Sequence, residues 1–309
     1  MNKIAFCFPG QGSVEPGMGR EIAEHEPAAM DVFVRASEAA GLDLRRLCFE
    51  APVEELVQTE VQQPALVATS LAVLAALKER GIEPDYVIGH SVGEFAALAS
   101  VRTLELEEAI ALVRERGLAM AEAARENPGS MAAILGLDDE VVEELCRRIE
   151  CVWPANYNCP GQIVVSGKDP AVDECRSEAE REGARRTVKL KVSGAFHSPL
   201  VEKAAERLRP AIDRVKFSEP VAPFMSTVSA KIEPAHRIGN LLVEQLTAPV
   251  KFTQAARELV MDGAKTFVEV GPGNVLSGLV KRIDENVKAI PVNSLAGLKK
   301  LEETLSAAR

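Results

Sequence analysis

The stretch that decides the fold is residues 86–94, Tyr-Val-Ile-Gly-His-Ser-Val-Gly-Glu. Its apolar first half predicts a buried strand, and the alanine-rich segment 95–99 that follows predicts a helix. Gly89 and Gly93 stand two residues on either side of Ser91, and only glycine fits so tight a strand-to-helix turn. Such a turn displays a hydroxyl beside free backbone N–H groups, where it can attack a carbonyl carbon. The alternative is a plain turn in which the serine caps the helix.

The bulk composition is that of an ordinary globular protein. The chain has 309 residues, of which 47% are hydrophobic and 27% are charged, enough for a large core. Its net charge of −10 argues against a general binder of nucleic acid or anionic membranes. The longest apolar stretch, 65–77, is short for a membrane span, and the first eight residues are expected to form a strand rather than a signal peptide. Six cysteines without a CxxC pair predict a reducing, cytoplasmic location.

Strands alternate with helices along most of the chain. This order predicts an α/β fold with a mainly parallel sheet, whose sites lie at the carboxyl ends of the strands. Residues 1–127 and 193–309 are expected to form the catalytic core. Residues 128–192 read strand, helix, strand, strand, helix, strand (βαββαβ), which predicts an inserted ferredoxin-like subdomain. Helices of the first core segment are predicted at 27–40, 52–57, 63–80 and about 106–124.

A serine nucleophile needs a general base, and the chain has four histidines. His25 and His236 lie in polar segments, which predicts surface positions. His90 precedes the nucleophile, so its side chain should diverge from that of Ser91 and pack against the elbow. His197 lies between a predicted strand and a predicted helix, where a base would be displayed. The alternative for His197 is an ordinary histidine at a helix N-terminus.

No carboxylate completes a catalytic triad. The aspartates between Ser91 and His197 fall in the predicted insertion, mostly at helix starts; they are Asp138, Asp139, Asp169 and Asp173. We therefore expect a Ser–His dyad whose histidine is held by a neutral acceptor, such as a backbone carbonyl. The oxyanion donors should be the N–H groups of Val92 and of Gln11, which lies in a glycine-rich loop after the first strand. That loop lacks the nucleotide-binding patterns, and its alternative interpretation is a simple turn.

Arg116 falls inside the apolar face of the predicted 106–124 helix. In projection it lies between Leu112 and Val113. An arginine that faces the core is costly unless a partner satisfies it. One alternative is a structural carboxylate; the other is a substrate carboxylate, gripped by two hydrogen bonds from the planar guanidinium. The second alternative predicts an acyl group that carries a free carboxylate.

These motifs together resemble those of the malonyl-CoA:acyl-carrier-protein transacylases of fatty acid synthesis and the related acyltransferase domains of polyketide synthases. They occur in the family's order and cover nearly the whole chain. The matching segments are FPGQGS (8–13), GHSVGE (89–94), VRERG (113–117), NCPGQ (158–162), GAFHSP (194–199), QLTAPV (245–250) and EVGPG (269–273). The resemblance implies a hydrolase-like core interrupted by the ferredoxin-like subdomain.

The resemblance also implies residue roles. Ser91 is the acylated nucleophile and His197 the base, while Gln11 and Val92 supply the oxyanion hole. Arg116 pairs with the malonyl carboxylate.

Further implied residues surround this set. Gln245 matches the residue whose backbone carbonyl orients the histidine, which would account for the missing acid. Asn158 and Gln162 match a subdomain motif near the cleft. Phe196 is the residue that malonyl-selective members tend to carry before the histidine. With His90, these last three residues are the expected lining of the substrate cleft.

The implied activity is transfer of a malonyl group from malonyl-CoA to the phosphopantetheine thiol of acyl carrier protein. The reaction would run ping-pong through malonyl-Ser91, with neither a metal nor a redox cofactor. A chain that begins at Met1 without a flanking domain resembles the free-standing bacterial enzyme, expected to be monomeric. The alternatives are an acyltransferase that serves a polyketide synthase in trans, a serine thioesterase or esterase, and a non-catalytic carrier-binding module.

A local basic patch is expected on this acidic chain, because carrier proteins are acidic too. The candidates flank elements that lead to or from the site: Lys189, Lys191, Lys281 and Arg282. The alternative is that these are ordinary solvated charges.

Overall fold

The computed structural model describes residues 3–307; the outermost residues of the predicted core, 1–2 and 308–309, lie outside that range. The strands are β1 (Lys3–Phe8), β2 (Tyr86–Gly89), β3 (Ser130–Leu135), β4 (Val152–Cys159), β5 (Gln162–Gly167), β6 (Arg186–Lys189), β7 (Phe224–Ser226), β8 (Lys231–Ile232), β9 (Ala264–Val270) and β10 (Lys288–Val292).

Helices flank these strands along the whole chain. They are α1 (Arg20–His25), α2 (Pro27–Ala40), α3 (Leu44–Phe49), α4 (Val53–Leu56), α5 (Thr59–Glu79), α6 (Gly93–Ser100), α7 (Leu106–Glu126), α8 (Asp139–Arg148), α9 (Asp169–Arg181), α10 (Glu202–Ile212), α11 (Ala235–Glu244), α12 (Phe252–Met261), α13 (Val275–Ile283) and α14 (Leu295–Ser306). Short 3₁₀ turns cover Gln11–Ser13 and Pro199–Val201.

The larger sheet has the order β10-β9-β1-β2-β7-β8. Its strands run parallel except for β8, which pairs antiparallel with β7. Alternate residues of β1 enter different cores, since successive side chains of a strand point to opposite faces. Phe6 and Phe8 pack in the large cluster that includes residues of α2, α5 and α6, whereas Ala5 and Cys7 pack with α12 and α13. This mainly parallel α/β sheet confirms the predicted fold class.

The smaller sheet is antiparallel, with the order β4-β5-β3-β6. Together with α8 and α9 it follows the predicted βαββαβ order, and it buries its own apolar cluster. Two backbone hydrogen bonds of 2.8 Å join it to the core, from Tyr157 N to Val250 O and from Val250 N to Ala155 O. The carboxyl half of β4 is therefore fixed beside the segment that leads into α12.

The α5 helix begins earlier than the predicted 63–80. It starts at Thr59, and Pro64 lies inside it. Proline lacks an N–H, so it leaves the carbonyl of Glu60 one turn earlier without its helical donor. Arg114 of α7 donates to that carbonyl oxygen at 2.6 Å. A neighbouring helix thus replaces the missing hydrogen bond, and the helix runs through the proline.

The length of α5 corrects one argument made from the sequence. Among the described residues, α5 is the one helix long and apolar enough to cross a membrane, with 21 residues and a mean hydropathy of 1.3 in its best window. The apolar run therefore extends into a longer helix than 65–77 indicated. However, 83% of that window is buried inside the protein. The helix lies at the centre of the larger core.

The packing of α7 on α5 yields a stability prediction for two helical glycines. A Cβ on Gly117 would lie 2.9 Å from the Glu60 Cα and 3.0 Å from the Thr59 carbonyl oxygen, whereas a Cβ on Gly278 would meet nothing within 4 Å. Gly117→Ala should lower the free energy of unfolding by about 1–3 kcal/mol through overpacking. Gly278→Ala should raise it by about 0.5–1 kcal/mol through helix propensity.

Urea unfolding of both variants beside the parent protein measures the two effects. Each substitution adds one methyl group inside a helix, so Gly278→Ala measures the gain in helix propensity that Gly117→Ala shares. A Gly117→Ala variant as stable as Gly278→Ala would contradict the close contact between α7 and α5.

Candidate active site

The turn after β2 has the geometry that its glycines predicted. Ser91 has a positive φ of 53°, a left-handed conformation that strains a non-glycine residue. A Cβ on Gly89 would lie 2.2 Å from the Glu94 backbone nitrogen, and one on Gly93 would lie 2.1 Å from the Phe8 carbonyl oxygen. Both positions therefore exclude any side chain. The turn places Ser91 at the carboxyl edge of the parallel sheet.

Ser91 and His197 are in direct contact. Ser91 Oγ lies 2.8 Å from His197 Nε2. On the far side of the ring, Nδ1 lies 2.8 Å from the Gln245 carbonyl oxygen and 3.2 Å from that of Ala248. Carbonyl oxygens only accept, so Nδ1 carries the proton and Nε2 offers a lone pair to the hydroxyl. The neutral acceptor expected for the histidine is a pair of backbone carbonyls.

His197 is held in its neutral form. Burial, and secondly the positive charge of Arg116, lower its pKa to about 3. The ring can therefore accept a proton over the whole physiological pH range. His197 also has a positive φ, of 57°.

Arg116 reaches the same hydroxyl. The residue is completely buried, and its Nη2 donates to Ser91 Oγ at 3.1 Å and to Gln245 Oε1 at 3.0 Å. Its Nη1 donates to Gln63 Oε1 at 2.6 Å. Burial lowers the Arg116 pKa to about 10, so it stays a cation at neutral pH. Its acceptors are neutral oxygens, and no carboxylate among the described residues accepts a hydrogen bond from it.

Glu94 is a buried carboxylate that sequence reasoning passed over. It is 0% exposed, and burial raises its pKa to about 7. One oxygen accepts from Thr227 N at 2.6 Å and Thr227 Oγ1 at 2.8 Å, and the other accepts from Gln245 Nε2 at 2.5 Å. The Gln245 amide therefore lies between Glu94 and Arg116. The available signal was an acidic residue inside the otherwise apolar α6.

The loop after β1 lies beside the elbow, because Phe8 pairs with Gly89 in the parallel sheet. Gln11 Nε2 donates to Gln62 Oε1 at 2.8 Å, and Gln62 Nε2 donates back to the Gln11 carbonyl at 3.1 Å. Within residues 3–307, neither the Gln11 N–H nor the Val92 N–H donates to a protein acceptor. Gln11 lines the cavity described below, whereas Val92 is buried and does not. Gln62 and Gln63, which support the loop and Arg116, carry no signal in the sequence beyond lying on α5.

A cavity of about 330 Å³ opens onto Ser91. Its lining includes Gln11, His90, Asn158 and Phe196. His90 Nε2 lies 2.9 Å from Asn158 Oδ1, so the ring both packs the elbow, as predicted, and faces the cavity. Burial lowers the His90 pKa. Three of the four expected cleft residues thus meet at one cavity.

Gln162 does not lie with them. It begins β5, just after the turn between β4 and β5, and its Oε1 accepts from Arg282 Nη1 at 2.7 Å. The side chain is therefore turned toward α13 and does not line the cavity. Gln162 therefore lies outside this cavity, and a role for it in the substrate cleft stays a prediction.

The described residues hold no group of three or more His, Cys, Asp or Glu side chains that could bind a metal ion. The site combines a hydroxyl in contact with a neutral imidazole, two backbone N–H groups that have no protein acceptor, and a buried cation. This set can form an ester on Ser91 from an acyl donor and pass the acyl group on. The fold and this geometry define an acyltransferase of the serine type.

The comparison with known families gives the same class. Residues 5–308 match the family described as "Acyl transferase domain", and the chain belongs to that family. The malonyl CoA-acyl carrier protein transacylase of Bacillus subtilis (strain 168) is 44% identical over 299 residues, which is 95% of this chain and 94% of that protein.

Solved structures are equally similar. The malonyl-CoA:acyl carrier protein transacylase of Xanthomonas oryzae superposes with a TM-score of 0.95 at 40% identity, covering 98% of both chains. A malonyl-transacylase in complex with its type II polyketide synthase acyl-carrier protein superposes with a TM-score of 0.95 at 37% identity, covering 98% of this chain and 100% of that one.

The burial of neutral His197 predicts an acid sensitivity. Its pKa is about 3 in the folded state, below the ordinary histidine value of 6.5, so the stability contributed by this group is full above pH 6.5 and is lost as the pH falls toward 3. His197→Asn should flatten this loss between pH 7 and pH 5. Asparagine also tolerates a positive φ, so the backbone keeps its conformation.

Urea unfolding at the two pH values measures the slope for each protein. His236→Asn is the control, because His236 is exposed. An equal acid-induced loss of stability in His197→Asn and the parent protein would contradict the burial of a neutral ring.

Proposed function

We propose that this protein transfers the malonyl group of malonyl-CoA to the phosphopantetheine thiol of an acyl carrier protein, supplying extender units for fatty acid biosynthesis. The observation that carries the proposal is a buried guanidinium with neutral acceptors only, 3.1 Å from the Ser91 hydroxyl. A cation in that position is a ready partner for a carboxylate on the acyl group that Ser91 receives. The relatives named above support the same substrate.

In the first half-reaction, His197 Nε2 takes the Ser91 proton while Oγ attacks the malonyl thioester carbonyl. The N–H groups of Gln11 and Val92 stabilise the oxyanion. As the intermediate collapses, the carbon–sulfur bond breaks and the imidazolium returns its proton to the coenzyme A thiolate. Malonyl-Ser91 remains, and the Gln245 carbonyl keeps the ring in position throughout.

The second half-reaction is the reverse with another thiol. His197 takes the proton of the carrier-protein phosphopantetheine, and the thiolate attacks the Ser91 ester. The tetrahedral intermediate collapses, the new thioester leaves, and Ser91 recovers its proton from His197. Every step exchanges a proton or an acyl group, so the reaction balances without an oxidant, a reductant or water.

Arg116 selects the substrate in this proposal. Its Nη2 exchanges the Ser91 hydroxyl for the malonyl carboxylate, which lies two bonds beyond the carbonyl under attack. A neutral acyl group would leave the buried cation without that partner, and a site built for a polar group rejects analogues that lack it. Phe196 and Asn158 complete the cavity on the side of the smaller sheet.

The chain is proposed to work as two parts of one monomer. Residues 1–127 and 193–309 form the catalytic core, and residues 128–192 form the subdomain that supplies Asn158. A single chain supplies every residue of the proposed site, which is compatible with a monomer. The six cysteines of this chain are free, which agrees with a cytoplasmic location.

A second candidate differs only in the partner. The similar structure that holds a type II polyketide synthase carrier protein favours a carrier of that kind as an alternative acceptor. Malonyl transfer from the acylated enzyme to each kind of carrier protein distinguishes the two. A serine thioesterase is less favoured, because it has no use for the cation beside Ser91.

Intact-protein mass spectrometry after rapid quench tests the proposed function. Malonyl-CoA should add one malonyl mass to the parent protein and none to Ser91→Ala. Arg116→Ala should lose at least about tenfold in malonyl acylation rate, the scale of one lost charged hydrogen bond, and should accept acetyl-CoA better. Methylmalonyl-CoA measures the strictness of the pocket.

Circular dichroism of both variants controls for folding. An unmodified serine in the parent protein would exclude the covalent mechanism. Unchanged malonyl preference in Arg116→Ala would leave the mechanism standing and remove the carboxylate contact.

Two of the four residues expected to form the basic patch already have partners within the chain. Lys189 is already paired with Asp169 at 2.9 Å and Asp173 at 3.2 Å. Arg282 is held by Gln162 and by the Pro160 carbonyl. We therefore propose that Lys191, at the cavity mouth, and the exposed Lys281 on α13 attract the acidic carrier protein.

Charge reversal tests this patch. Lys191→Glu and Lys281→Glu should each raise the KM for carrier protein about threefold to tenfold at low salt, with a smaller effect at high salt. Malonyl-CoA acylation without carrier should not change in Lys281→Glu; in Lys191→Glu it measures any loss of attraction to the anionic coenzyme A, which is subtracted from the effect on carrier protein. Lys288→Glu is the matched control, because Lys288 is exposed at the amino end of β10, away from the carboxyl edge of the sheet. Equal KM values in all three variants would count against the patch.

A further inference from the structure

The Gln245 side chain links three parts of the site. Its Nε2 donates to the Ser91 carbonyl at 3.1 Å and to Glu94 Oε2 at 2.5 Å, while its Oε1 accepts from Arg116 Nη2 at 3.0 Å. A carboxylate accepts and a guanidinium donates, so the two charged neighbours leave the amide only one orientation. The Ser91 carbonyl favours the same direction, and an ionised Glu94 adds a second, charged acceptor on that side of the amide.

No cation among residues 3–307 makes a hydrogen bond to Glu94. Its donors are the backbone and hydroxyl of Thr227 and the Gln245 amide, all uncharged. The charge of Arg116 reaches it only across that amide. A direct ion pair would compete with a substrate carboxylate for the guanidinium. The Gln245 amide lies between the two charges and holds the Arg116 guanidinium in position. The guanidinium therefore has no carboxylate partner of its own and can still bind the carboxylate of a substrate.

We propose that Glu94 is a positioning residue for acyl selectivity, which orients the Gln245 amide so that its oxygen holds the Arg116 guanidinium at Ser91. This inference rests on the proposed function, since it concerns how that site recognises the malonyl carboxylate. A protonated or amidated side chain at residue 94 can present a donor, which competes with the Ser91 carbonyl and Arg116 for the direction of the Gln245 amide. When the amide turns its oxygen toward that donor, its NH₂ group faces the guanidinium, two donors oppose each other, and Arg116 is displaced from Ser91.

The ionised form of Glu94 is the one that supports this arrangement. Its raised pKa of about 7 places the change within the working pH range. Arg116 of α7 is the charged group that faces it, and His197 and His90 are the other titratable side chains at the site, both with lowered pKa values. Malonyl selectivity should therefore fall as the pH drops below about 7.

Glu94→Gln tests the proposal in the full-length protein. Acylation of Ser91 is measured with malonyl-CoA and with acetyl-CoA between pH 5.5 and pH 8.5. We expect kcat/KM for malonyl-CoA to fall about tenfold or more, mainly through KM, and kcat/KM for acetyl-CoA to stay within about twofold. The decline of malonyl selectivity below pH 7 should be absent from the variant. Equal losses for both donors, or no loss for either, would overturn the inference.

Thr227→Val provides the second variant. It removes the hydroxyl donor to Glu94 and keeps the backbone donor, so it should raise the Glu94 pKa and move the selectivity decline to higher pH. If Glu94→Gln does not fold, an unmoved pH profile in Thr227→Val overturns the inference. The proposed function and the role of Glu94 fail in different ways. If the parent protein does not form malonyl-Ser91, the proposed function is rejected. If the parent protein is malonylated normally and Glu94→Gln keeps full selectivity, only the role of Glu94 is rejected.

Discussion

The site depends on how closely the backbone of β1 approaches the turn after β2. Phe8 pairs with Gly89 in the parallel sheet, and the absent Cβ of Gly93 lets the Phe8 carbonyl lie against the start of α6. This contact fixes the loop at Gln11 beside Ser91. The loop and the elbow, the two segments proposed to supply the oxyanion donors, are thus held together by backbone pairing, to which the Gln11–Gln62 hydrogen bonds add. A bulkier residue at position 93 would separate them before it changed any catalytic group.

In this site the charged or protonatable side chains contact neutral groups rather than one another. His197 is oriented by two carbonyls rather than by a carboxylate, so the imidazolium is less stabilised than in a triad and returns its proton readily. Arg116 and Glu94 are likewise separated by the Gln245 amide. Such spacing suits a reaction whose two half-reactions are alike, because the base returns to the same neutral form after each proton transfer.

The sequence predicts the parts of this site that follow from local rules. The elbow follows from two glycines and a serine, and the inward position of Arg116 follows from helical periodicity. Other features depend on tertiary partners. Pro64 stays inside α5 only because Arg114 satisfies the free carbonyl. Pro291 lies within β10, where a proline is tolerated because β10 is at the edge of the sheet. Glu94 gains its significance from groups that are distant in sequence, and Gln162 is turned away by a local turn.

Both residues in the Ser91–His197 contact have left-handed backbone conformations, with φ values of 53° and 57°. Each costs the folded state about 1 kcal/mol or more relative to glycine. Drift toward glycine at either position would make the protein more robust and abolish its chemistry. Stability and the proposed chemistry therefore make opposite demands on the same two positions, so a search for more stable variants that ignored activity would select glycine at both.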